Sequence, residues 1–101
     1  MKDHRILTSR QEKAAEDELY RALLGLTTVA DYRAFFQDLC TPAELQAMKD
    51  RWAVVEALEE GLTYRQIHDK TGVSVTTIGR VARCLTDGAG GYRKALEQLK
   101  E

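Results

Sequence analysis

Seven residues between positions 65 and 83 carry the types needed to read DNA: Arg65, His68, Val75, Thr76, Thr77, Gly79 and Arg83. Arginine pairs with phosphate or with a guanine edge. Threonine hydroxyls bond to bases or phosphate, and valine packs on a thymine methyl. Gly79 leaves room for close backbone approach. His68 is either a solvated surface residue or a side chain leaning toward DNA. The chain offers little competing chemistry. It has no Ser/His/Asp set, and His4 and His68 are far apart, with no cysteine at metal-ligand spacing. The Gly-Ala-Gly-Gly run at 88–91 follows a helical stretch, not a strand, so it does not match a phosphate-binding loop. No enzymatic activity and no metal site are expected.

The spacing around these residues predicts a helix-turn-helix. Ile67, Thr71, Val73, Ile78 and Val81 fall where two short helices share a buried face, and Gly72 falls where the turn needs positive φ. Thr63 with Gln66 forms a capping box, and Ser74 caps the next helix. In this arrangement the first turn of the second helix, Val75-Thr76-Thr77, approaches base edges. Charge agrees. Across residues 61–94 six cationic side chains face two carboxylates, a net +4 in a chain of net charge −1, which leaves −5 elsewhere. A basic segment in an otherwise acidic chain suits a local DNA-facing surface, with Arg65, Lys70 and Arg83 as its electrostatic contacts.

The remaining pattern is helical. Ser9 with Glu12 reads as a capping box opening a helix over 9–26, striped by Leu19, Leu23 and Leu26. A second helix over 28–39 carries Val29, Tyr32, Phe36 and Leu39. Thr41-Pro42-Ala43-Glu44 opens a third, over 42–60, closed by Gly61. This third helix has apolar residues on more than one side, as a central helix would. The helix-turn-helix pair occupies 63–70 and 74–85. A glycine-rich hinge at 86–91 precedes a short last helix with Tyr92, Leu96 and Leu99. No segment alternates with period two, so the expected class is all-α with about six helices. At 101 residues the chain is expected to form a single domain with a modest core. Cys40 and Cys84 lack a disulfide or metal pattern. With no apolar run of ~18 residues and no leader-like start, a reduced, cytoplasmic protein without a membrane span is expected.

Residues 40–85 resemble the Trp repressor superfamily. The matching stretches are Thr41-Pro42-Ala43-Glu44, Arg51, Val54-Val55-Glu56-Ala57-Leu58, Gly61, the run from Thr63 to Arg80, and Leu85. Arg83-Cys84-Leu85 and the later Gly90-Gly91-Tyr92 are similar to its YerC/YecD-like branch. The resemblance implies an intertwined homodimer in which residues 1–40 supply the dimerisation helices. Residues 41–85 then hold the central helix and helix-turn-helix, and residues 86–101 the hinge and last helix. It implies a sequence-specific regulator of double-stranded DNA, a repressor, with Arg65, His68, Val75, Thr76, Thr77 and Gly79 at the contact positions. The alternative is a helical protein-interaction module that keeps the fold without reading DNA.

The resemblance also implies a co-repressor pocket at Thr41, Arg51, Arg80, Val81 and Cys84. Two arginines suit an indole and its carboxylate. Here Val81 stands in place of the family's glycine, Cys84 in place of serine, and Asp38 and Cys40 in place of apolar rim residues. An isopropyl group then enters the space of a ligand ring. The expectation is no tryptophan requirement, with another small co-repressor as the remaining option.

Overall fold

The computed structural model describes residues 6–100; His4 lies outside them. Six helices follow in order: α1 (Ser9–Leu24), α2 (Val29–Leu39), α3 (Pro42–Glu59), α4 (Tyr64–Thr71), α5 (Val75–Asp87) and α6 (Gly91–Leu99). No strand occurs among the described residues. The helices fall into two units, which divide between Cys40 and Thr41.

Each helix start has a local cause. Thr41 accepts from the Glu44 amide while the Glu44 carboxylate accepts from the Thr41 amide, so two orphan donors are satisfied at once. Thr63 and Gln66 repeat this for α4. The first box sits one residue earlier than Ser9 and Glu12 suggested. Thr8 is the N-cap and Gln11 its partner. Thr8-Ser9 offers two adjacent hydroxyls, each with a suitable partner three residues on, and the Thr8–Gln11 pair closes the box. α1 also stops at Leu24, before Leu26, with Gly25 as its cap.

The N-terminal unit, α1 and α2, buries no residue in either helix. Leu24 and Val29 are 81% and 73% exposed, and Tyr20, Tyr32 and Leu39 are exposed as well. Within the unit Phe35 and Phe36 meet edge to face at 5.8 Å. The Tyr32 hydroxyl donates to the Leu23 carbonyl across the connection. Of the apolar stripes read from the sequence, Leu19, Leu23, Leu26 and Phe36 are half-buried, and Val29, Tyr32 and Leu39 are exposed.

The second unit holds the core: Val54, Val55 and Ala57 of α3, Ile67, Val73, Ile78 and Val81 of the helix-turn-helix, and Leu96 of α6. Val54 and Ala57, off the main stripe of α3, are buried, whereas Met48 on that stripe is 40% exposed. α3 is central because both α4 and α5 pack on it. α6 is fastened to α3 at both ends. Tyr92 packs on Trp52 with ring centroids 6.3 Å apart, and Glu59 accepts from Arg93 at 3.0 Å and from Lys100 at 3.4 Å.

Those two cations, Arg93 first, hold the Glu59 carboxyl below its ordinary range. A carboxyl depressed in the folded state stabilises the fold at pH values above its unfolded pKa. That contribution is lost as pH falls through the folded value. Acidification is therefore expected to loosen α6, read as a change in Trp52 fluorescence. Glu59→Gln should remove that acid-side step and begin from the loosened state at neutral pH. A step of the same size in the glutamine variant would assign it to another group.

Candidate nucleic-acid interface

The turn between α4 and α5 is stitched by side chains. Gly72 takes φ +76° and its amide donates to the His68 carbonyl at 2.8 Å. Val73 is buried, so both its backbone groups need partners. The Thr71 hydroxyl accepts from the Val73 amide at 3.1 Å and donates to the Ile67 carbonyl at 2.7 Å. The Val73 carbonyl lies 2.7 Å from His68 Nδ1. A carbonyl only accepts, so Nδ1 carries the proton and donates to it. His68 is thus exposed, as one reading of the sequence had it, yet its ring is anchored to the turn. A Cβ at residue 72 would meet nothing within 4 Å. Gly72→Ala should therefore cost only the left-handed backbone term, about 1–2 kcal/mol. A urea unfolding curve checks this, and an unchanged midpoint would contradict it.

The first turn of α5 follows. Ser74 Oγ accepts from the Thr77 amide at 3.2 Å and donates to Thr77 Oγ1 at 3.1 Å. Thr77 is therefore partly engaged in the cap, while Thr76 is exposed and Val75 is 54% exposed. The amides of this first turn give α5 a positive end suited to an anion. Arg65, His68 and Val75 converge on one open cleft of about 600 Å³, together with Tyr64 and Asp69. Gly79 lies beside it. A Cβ there would sit 3.9 Å from both the Tyr64 ring and an Arg83 guanidinium nitrogen, so Gly79 forms a floor between these two side chains.

All seven sequence-derived candidates thus fall on α4 or on α5; three line the cleft with Tyr64, and Gly79 lies beside that ring. Tyr64 and Asp69 are additions. Neither has a motif signature, and only the packing of α4 against α5 brings them to the cleft. Lys70 departs from expectation: its ammonium lies 3.6 Å from Glu60 at the end of α3. Arg93 is likewise paired, with Glu59. The net +4 of the segment therefore overstates the cationic face. Arg65 and Arg83 make no ion pair among the described residues.

Behind α5 lies a second cleft, of about 280 Å³, lined by Arg51, Arg80, Val81, Cys84 and Tyr92. Four of the five residues proposed for a pocket meet there. Thr41 is not among its walls; its hydroxyl accepts from the Glu44 amide as the cap of α3. Tyr92 was missed because it arrives from α6. Val81 is 1% exposed and forms part of the wall, so its isopropyl group takes up room that a glycine would leave open. No group of His, Cys, Asp and Glu suited to a metal ion occurs among the described residues.

A central helix carrying a capped, glycine-turned helix pair defines a helix-turn-helix protein of Trp-repressor type. Residues 14–100 match the family described as Trp repressor protein. The chain is 42% identical over 85 residues to the uncharacterized protein YerC of Bacillus subtilis (strain 168), spanning 84% of this chain and 82% of that one. Its structure resembles that of a TrpR-like protein from Eubacterium eligens ATCC 27750, with TM-score 0.84 and 35% identity, over 92% of this chain and 96% of the other. The chain belongs to the Trp repressor family, on its YerC-like branch. No helix among the described residues is long and apolar enough to cross a membrane.

Proposed function

We propose that this protein is a homodimeric, sequence-specific DNA-binding regulator, a repressor, that works without tryptophan. The observation that carries the reading is the convergence of Arg65, His68 and Val75 on one exposed cleft beside the N-terminal turn of α5. Two guanidiniums without an ion pair among the described residues, an anchored imidazole and exposed first-turn side chains form a surface fit for phosphates and base edges. Asp69 adds an acceptor suited to a cytosine amino group.

The uncovered apolar faces of α1 and α2 support the dimer. Exposed leucines, valines and tyrosines on two amphipathic helices lose their contact with water when a second copy interleaves with them. A two-fold dimer would set two recognition helices about 34 Å apart, one DNA turn. Val81 in the wall of the rear cleft supports independence from tryptophan.

Sedimentation equilibrium and fluorescence anisotropy on the full chain test this reading together. A dimer that binds duplex DNA with affinity falling steeply as salt rises is the expected result. A monomer, or a stable complex with another protein and no DNA affinity, would replace it with an interaction module built on the same fold.

A further inference from the structure

The back of α5 is braced from an unexpected side. Arg80, Val81 and Cys84 line its rear cleft, Arg51 comes from α3, and Tyr92 of α6 closes the wall. Tyr92 packs on the buried core and against Trp52, which links α3 to the underside of the recognition helix through two rings.

Delivering Tyr92 to that place requires a tight reversal. A Cβ at Gly88 would come within 2.3 Å of the Cys84 carbonyl oxygen, and Gly90 takes φ +91°. Neither position accepts an ordinary side chain without a shift of the backbone. Residues 88–91 therefore form a turn whose backbone path calls for glycine at 88 and 90. Buried Leu96 and the Glu59 fork then hold α6 in register.

We propose that Tyr92 is a positioning residue for DNA reading: its ring sets the tilt of α5, so the DNA-binding form needs no small ligand. The proposal rests on the DNA-regulator reading given above. Its physical content is a difference between two kinds of contact. Phosphate pairing by long arginines tolerates a small tilt of the helix. Base-edge hydrogen bonds from Thr76, repeated in two subunits, do not. Loss of the ring should therefore weaken specific binding and spare non-specific binding.

The test uses the full-length protein, a duplex that the wild-type chain enriches from a random pool, and an unrelated duplex, with no small molecule added. Tyr92→Phe keeps the ring and should bind both as the wild type does. Tyr92→Ala should lose about tenfold in affinity for the enriched duplex, a typical coupling between separate sites. Its affinity for the unrelated duplex and its salt slope should not change. Phenol, the missing ring as a free molecule, should restore the specific affinity. Should alanine fail to fold by circular dichroism, Tyr92→Leu carries the same comparison.

Equal affinity of the alanine or leucine variant and the wild type for the enriched duplex would overturn the proposal. So would a loss equal on both duplexes, which marks a merely structural role. A wild-type chain that binds DNA only after a small ligand is supplied overturns the proposal and leaves the regulator reading intact. A wild type that enriches no duplex sinks both.

Discussion

Replacing Ile67 with alanine is expected to cost about 2–5 kcal/mol, the range for removing a buried large aliphatic side chain. Ile67 is fully buried and is the one buried residue of α4. An eight-residue helix has little stability of its own and depends on the face it packs. The side chain meets the core shared with α3 and α5, so its loss leaves a void where three helices join. That is a large share of the roughly 5–15 kcal/mol that holds a small domain together. Urea unfolding should show a lowered midpoint with an unchanged slope. Leu99→Ala is the control: this leucine is 66% exposed, and its loss should shift stability by no more than ~0.5 kcal/mol. If the two variants unfold alike, the core has been placed wrongly.

Arg65→Ala and Thr76→Ala are expected to abolish site-specific DNA binding while the fold survives. Both side chains are exposed, so neither removal opens a cavity. Each base-directed contact is worth about 1–3 kcal/mol, and each substitution acts twice in a homodimer. The two variants should differ in kind. Arg65→Ala, which removes a cation unpaired among the described residues, should also reduce the salt dependence of binding. Thr76→Ala should leave the salt slope intact and relax sequence preference alone. Intact specific binding by both variants would remove the proposed readout, whatever the thermal stability of the proteins.

The features legible in the sequence are those written within a few residues. The capping boxes at Thr41 and Thr63, the αL turn at Gly72 and the Ser74 cap each need partners no more than four positions away. The structure has each where its spacing placed it. Even locally, adjacent hydroxyls at Thr8 and Ser9 left the register of α1 open by one residue. Less legible was whatever two distant segments make together. Lys70 reads as a free cation until the end of α3 brings Glu60 beside it. Tyr64 reads as an ordinary first-turn residue until α5 packs on α4 and brings Gly79 and Val75 beside its ring. Tyr92 has only a weak helical stripe to recommend it, and its place behind α5 depends on the reversal at Gly88 and Gly90.

The most direct measurement of the central claim is selection from a random-sequence duplex pool by the purified full-length protein, with no tryptophan present, followed by sequencing of the bound DNA. The expected result is enrichment of a two-fold symmetric site whose half-sites lie about one helical turn apart, because two recognition helices related by a dimer axis would read it. Recovery of DNA with no sequence preference, or of none until tryptophan is added, would contradict it.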